Sequence, residues 1–242
     1  MTQHDAAGTG GRTTVWRRAK RALVLAIAGF LTLSISLVVI YRFVPPPITP
    51  LMVIRLFEGE GLYKDWTPYD DVSPNVFKAV IAAEDTRFCQ HHGFDYGSIM
   101  DAWKSNKKGR RTRGASTISM QTAKNLFLWP GGGYARKIVE AYFTVLLELL
   151  WDKRRILEVY VNVAEYGRGV YGIEAAAQTY YKKSANDLSA GEAARLAAIM
   201  PNPRERSPQK PPSRHLSRIR GEMRGQPAPI DSRCPVGRYE DE

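Results

Sequence analysis

The chain has little cysteine and a shortage of acid. Its two cysteines, Cys89 and Cys234, stand far apart and form no CxxC or other metal-ligand spacing, which excludes a zinc-ribbon or a disulfide-framework protein. A bridge between them suits an oxidising compartment, but spacing does not decide pairing. Asp and Glu number 24 against 35 Lys and Arg, leaving a formal charge of +11 and a pI near 9.7. Such an excess asks for an anionic partner: nucleic acid, an acidic membrane surface or a phosphorylated substrate. Strict alternation of apolar and polar residues is also scarce, so the soluble part reads as mainly α.

Charge is missing altogether from Ala22 to Tyr41, 20 mostly apolar residues. At about 1.5 Å per residue a helix of that length crosses a hydrocarbon core of roughly 30 Å. The run is longer than a signal-peptide core, and Arg42-Phe43-Val44-Pro45 has no small-x-small cleavage pattern, so a single-pass anchor is expected. Arg17, Arg18, Lys20 and Arg21 on its N-terminal flank put that end in the cytoplasm and residues 42–242 outside the membrane, in the periplasm or its equivalent. Nucleic acid is then excluded as a partner. The expected division is a cytoplasmic tail (1–21), a transmembrane helix (22–41), a spacer stiffened by Pro45, Pro46, Pro47 and Pro50 (42–50), a soluble domain (51–203), and a basic, Pro-rich tail looping along the surface (204–242).

The domain is organised around Ala79–Asp95. Ser73-Pro74 is a helix start, and Phe77, Val80, Ile81 and Glu84 follow at i, i+3, i+4 and i+7. The Glu84 carboxylate therefore projects from the face that the aliphatic residues bury. Burial raises a carboxyl pKa and prepares it for proton transfer near neutral pH; the plain alternative is a helix-terminal Glu in reach of solvent. Lys104–Arg113 carries six basic residues and no acid: a solvated loop, or a surface laid on anionic headgroups with Ile99, Met100 and Trp103 at the interface.

Gly114–Trp129 is dense in hydroxyls and amides. Ser116, Thr117, Gln121 and Asn125 are able to hydrogen-bond a sugar or phosphate, with Lys124 as a point charge, while Ser116 or Thr117 also suits a helix cap. Past the turn at Gly131–Gly133, Arg136 and Glu140 form an i, i+4 pair, and Glu140 shares a face with Phe143, Thr144 and Leu147. A further helix begins near Asp152, and Ser189–Glu192 is a capping box for a helix that Pro201 stops. Three motifs are decoys. Gly167, Gly169 and Gly172 spell GxGxxG without a clear preceding strand or a ribose-binding acid about 20 residues on. Ser105 to Lys108 fits SxxK, but no KTG accompanies it. His91 and His92 beside Asp95 have no third ligand at a sensible spacing, and hydrogen bonding is the better reading of His91.

Together these segments resemble the peptidoglycan glycosyltransferase family. Glu84-Asp85-Thr86-Arg87-Phe88 with His91, Gly93 and Asp95 is similar to its first motif. Gly114 to Asn125 is similar to the second, Arg136-Lys137-x-x-Glu140 to the third, Lys153 to Asn162 to the fourth, and Arg168 to Tyr181 to the fifth. Five motifs in order are specific where each alone is not. Only residues 202–242 follow Pro201, too few for a transpeptidase domain, so the architecture resembles the monofunctional biosynthetic transglycosylases. One departure is Met120, where the family usually has the first of two glutamines; Met offers neither donor nor acceptor, so the weight falls on Gln121.

The resemblance implies a lysozyme-like α domain that polymerises lipid II. It implies Glu84 as general base, with Lys124 and Arg136 meeting the charge of a lipid diphosphate leaving group. Glu140 would orient those cations or help hold a divalent cation, magnesium or manganese, on the diphosphate. It further implies Asp85, Ser116, Thr117, Gln121, Lys124, Asn125 and Arg136 as substrate contacts, and one of Arg214, Arg218 and Arg220 as an added site arginine. The expected partners are lipid II, the growing glycan strand, the membrane and other cell-wall synthesis proteins. Two rivals are a lysozyme-like hydrolase, which would need an acid rather than cations at its poor leaving group, and an inactive scaffold, which Met120 alone favours.

Overall fold

The computed structural model describes residues 10–107 and 116–225. Much of the basic run 104–113, together with Gly114 and Cys234, lies outside the described residues. The chain forms two units, residues 1–43 and 44–242. Helix α1 (Gly10–Phe43) accounts for the described part of the first. Its stretch Val15–Phe43, 29 residues with an 18-residue window of mean hydropathy 2.7, is long and apolar enough to cross a membrane. Ser34 donates its hydroxyl to Leu31 O within the same helix at 3.0 Å, so this polar group is satisfied without leaving the apolar span.

The second unit is built from short helices whose starts are set locally. Thr49 caps α2 (Pro50–Phe57), Ser73 caps α3 (Pro74–Glu84), and α4 is Tyr96–Lys107. Thr117 caps α5 (Ile118–Phe127), and Gly132, at φ 89°, opens α6 (Gly133–Leu150). Asp152 caps α7 (Lys153–Val163), and a complete capping box of Ser189 and Glu192 opens α9 (Ala190–Ile199) after α8 (Ile173–Tyr181). Each cap satisfies amide hydrogens that a helix leaves unpaired.

Helix α5 packs between α6 and α7, and α3 packs on α9. Ile118 of α5, Leu147 of α6, and Ile156 and Leu157 of α7 are fully buried. Phe127 of α5 stacks on Phe143 of α6 with centroids 4.3 Å apart. Buried Asn162 of α7 clamps the loop before α3: its Oδ1 accepts from Thr67 N at 2.9 Å and its Nδ2 donates to Thr67 O at 2.8 Å.

A small sheet lies beside the helices, with strands β1 (Tyr63–Lys64), β2 (Glu165–Gly167) and β3 (Val170–Tyr171) in the order β1-β3-β2. β1 runs parallel to β3, and β2 pairs antiparallel with β3 through a bulge. A short strand, β2, therefore does run into the first of the GxGxxG glycines, Gly167, where the sequence showed no clear strand. Close packing explains these glycines without a nucleotide. A Cβ on Gly169 would stand 2.2 Å from Glu60 O, and one on Gly172 would stand 2.9 Å from Asn162 O.

The region after Pro201 also differs from expectation. Ser213–Gly225 is not a surface loop but a helix, α10, that packs on α3 and α9 and buries Ile219 completely. Leu216, Ile219 and Met223 stand at i, i+3 and i+7, a spacing that the many arginines around them obscure.

Candidate active site

Glu84 ends α3 and faces inward as its spacing predicts. Its Oε2 accepts from Gln121 Nε2 of α5 at 2.8 Å, and its Oε1 is buried with no hydrogen-bond partner among the described residues. Burial pushes the carboxyl pKa up. The Gln121 hydrogen bond and the charges of Lys124 and Arg218 pull it back only in part, and neighbouring Asp85 adds to the rise. One oxygen is thus anchored and the other is left free to take a proton.

Asp85 has a scaffold to hold. Its carboxylate lies 3.0 and 3.1 Å from His91 Nε2 and accepts from Ile118 N, at the start of α5, at 3.0 Å. A carboxylate at a helix N-terminus also gains from the helix dipole. Thr117 donates to Gly93 O at 2.6 Å while capping the same helix, so the first two motifs are tied into one block. Asp95 takes Arg87 Nε at 2.9 Å and the Ser98 hydroxyl at 2.7 Å. Burial works against its charge, yet these bonds and the Arg87 charge hold its pKa below the usual value.

Glu84, Asp85, Thr86, Asp95, Ser98, Ser116, Thr117 and Arg218 line a cavity of about 110 Å³. Of the three candidate arginines the structure brings Arg218 to this cavity. Its guanidinium donates to Ala82 O at 3.1 Å and Ala83 O at 3.0 Å, closing the C-terminal turn of α3 immediately before Glu84. Arg220 lines a different cavity with Asn75 and Lys78, and Arg214 is exposed and lines neither.

A second cavity, about 330 Å³, lies at the C-terminal end of α5 and is lined by Lys124, Asn125, Trp129 and Arg136, together with Arg55 of α2 and Glu165 of β2. Arg136 is fixed by Glu140, whose Oε2 accepts from Arg136 Nη1 at 2.9 Å and whose Oε1 accepts from Lys137 Nζ at 2.5 Å. The Glu140 side chain is 1% exposed, so the inward reading holds. With both oxygens engaged by cations, a divalent ion does not fit at Glu140. Among the described residues no group of three or more His, Cys, Asp or Glu is placed to hold one.

Burial lowers the Lys124 pKa, as do the charges of Lys137 and Arg136, while Glu140 and Glu84 raise it. A poorly hydrated ammonium beside a guanidinium suits an incoming anion, which would relieve both. Sequence reasoning missed Arg55 and Glu165 as residues of this wall. The Thr49-Pro50 helix start was a signal for Arg55; nothing local marked Glu165. Lys153 of the fourth motif is a tie rather than a cavity residue. It donates to His91 O at 2.7 Å and to Glu148 at 2.8 Å and lies over the Phe88 ring.

The transglycosylase family model matches residues 52–224. The chain belongs to the transglycosylase family. That span includes all but the last residue of α10, and with it Arg218. Three relatives carry the name biosynthetic peptidoglycan transglycosylase. The protein of Caulobacter vibrioides is 55% identical over 190 residues, covering 77% of this chain and 82% of its own. That of Rhodospirillum centenum is 52% identical over 195 residues, covering 80% and 84%. That of Bdellovibrio bacteriovorus is 51% identical over 195 residues, covering 78% of each. The transglycosylase region is thus an enzyme domain, with the Glu84 cavity at the start of α5 and the cationic cavity at its end.

Proposed function

We propose that this transglycosylase polymerises lipid II into glycan strands and releases undecaprenyl diphosphate. The observation that carries the reading is Glu84: a carboxylate with one oxygen anchored by Gln121 and the other free, close enough to Lys124 of the cationic cavity for each charge to act on the other. In the reaction the acceptor 4-hydroxyl gives its proton to Glu84 as its oxygen attacks C1 of the donor sugar. The bond from C1 to the diphosphate oxygen breaks, the configuration inverts from α to β, and Lys124 and Arg136 take up the charge on the departing diphosphate. Diphosphate leaves without protonation, so cations rather than an acid belong on its side. A hydrolase would need a carboxylic acid there.

The substrate is carried by a membrane lipid, which suits an anchored enzyme. Arg17, Arg18, Lys20 and Arg21 favour a cytoplasmic N-terminus and a periplasmic domain. Asp85, Ser116 and Thr117 serve the first cavity and Asn125 the second. The test is polymerisation of fluorescent lipid II in detergent by the full chain and by Glu84→Gln, with the product digested by lysozyme. Lysozyme-sensitive polymer from the wild type and none from the variant supports the reading. Binding of lipid II without polymer by either protein would replace it with the scaffold reading.

A further inference from the structure

Three side chains from three helices form a chain that ends on Glu84. Tyr160 of α7, 1% exposed, donates its hydroxyl to Gln121 Oε1 at 3.2 Å. The other end of that amide, Nε2, donates to Glu84 Oε2 at 2.8 Å. The two ends of an amide are not interchangeable: turned over, Gln121 would set its carbonyl oxygen against an ionised carboxylate. A phenol that keeps its proton settles the orientation, because it offers an O–H to the carbonyl end. Burial, reinforced by the nearby negative charge of Glu84, holds the Tyr160 pKa well above the ordinary value and so keeps that proton in place. The chain occupies Glu84 Oε2 and leaves Oε1 without a partner among the described residues.

We propose that Tyr160 is a positioning residue for the reacting carboxylate, orienting the Gln121 amide so that Glu84 presents Oε1 to the hydroxyl it deprotonates. The proposal rests on the reading of Glu84 as the base, and it gives Gln121 a role exerted through Glu84 rather than on the substrate. The charged groups that face Glu84 from the surrounding elements are Lys124 of α5, Arg218 of α10 and Asp85 next in the chain; Tyr166 of β2 is a second phenol in its field. Lys124 and Arg218 favour the ionised carboxylate and Asp85 opposes it. Removing the Tyr160 hydroxyl alters none of them directly.

Tyr160→Phe keeps the ring and deletes only the O–H. The carbonyl end of Gln121 then loses its donor, the bond to ionised Glu84 weakens, and the carboxyl titrates higher. The expected rise is about 0.5–1 pH unit, read as a roughly three- to tenfold loss of rate on the acid limb and none on the plateau above it.

The experiment uses the full chain in detergent micelles with ¹³C-labelled Glu carboxyls, titrated by NMR, the Glu84 resonance being assigned by its loss in Glu84→Gln. Initial rates of lipid II polymerisation are measured over the same pH range. The proposal expects a Glu84 midpoint raised in Tyr160→Phe, an acid limb displaced equally, an unchanged plateau, and a Tyr160→Phe/Gln121→Ala double variant no worse than Gln121→Ala alone. An unmoved midpoint, or a lowered plateau with an unmoved limb, reduces Tyr160 to a packing residue and overturns the proposal. A midpoint that moves in a chain that makes no polymer at any pH supports the Tyr160–Gln121–Glu84 chain, and it is then the functional reading that fails.

Discussion

Replacing Glu140 with Gln keeps the shape of the side chain and removes the charge on which Arg136 and Lys137 converge. The two ion pairs differ in worth. Lys137 is 43% exposed, so its pair contributes at most about 0.5 kcal/mol. Arg136 is 15% exposed and Glu140 1%, so their charge-assisted bond is worth roughly 1.5–3 kcal/mol. The amide oxygen of Gln recovers part of this, leaving a net loss of about 1–2 kcal/mol. In a domain of this size that lowers the melting temperature by roughly 2–8 °C.

Activity should suffer more than stability. Arg136 is no longer aimed at the cavity, and Lys124 loses the neighbouring charge that most favours its protonated form. Misdirecting one such charge costs about 100- to 1000-fold in turnover. The assay pairs thermal unfolding by circular dichroism with lipid II polymerisation at a temperature where both proteins are folded. A Glu140→Gln variant that polymerises within threefold of wild type would refute the argument that Glu140 works by aiming the cations.

Gly172→Ala should destabilise by about 1–3 kcal/mol from backbone strain alone, with a clash added, because Gly172 sits at φ 88°, ψ 154° and its Cβ would meet Asn162 O and Asp65 O at 2.9 and 3.0 Å. Gly191→Ala, whose nearest atom is Arg220 Nη2 at 3.8 Å, should cost nothing, and equal denaturation midpoints for the two variants would contradict this. Lys153→Met should cost about 3 kcal/mol in a urea titration, since the Glu148 side chain, 8% exposed, loses its cation and His91 O loses its donor; a loss below 1 kcal/mol would show the tie to be dispensable. The Lys183 and Ser189 hydrogen bonds hold the Glu192 pKa at about 2 against an ordinary 4.5. Its contribution is therefore complete above about pH 4.5 and lost as pH falls towards 2, so Glu192→Gln should flatten the stability curve in that window; an unchanged slope would remove Glu192 from the account.

The sequence by itself determined the features that depend on neighbours along the chain. Ser73, Thr117, Asp152 and Ser189 with Glu192 announced their helices because a cap acts over three residues, and the spacing from Phe77 to Glu84 placed a carboxylate on the buried face because helical periodicity is local. The apolar run after Arg21 was legible for the same reason. Pairings across the chain were not. The proximity of Tyr160, Gln121 and Glu84, the closure of α3 by Arg218, and the placing of Arg55 and Glu165 opposite Lys124 are products of packing between elements far apart in sequence. Periodicity tells which face of a helix is buried but not which helix covers it, so α10 passed for a tail and the three C-terminal arginines looked alike. Only the tertiary structure decided among them, because a hydrogen bond between distant residues exists only once the core has brought their backbones within reach.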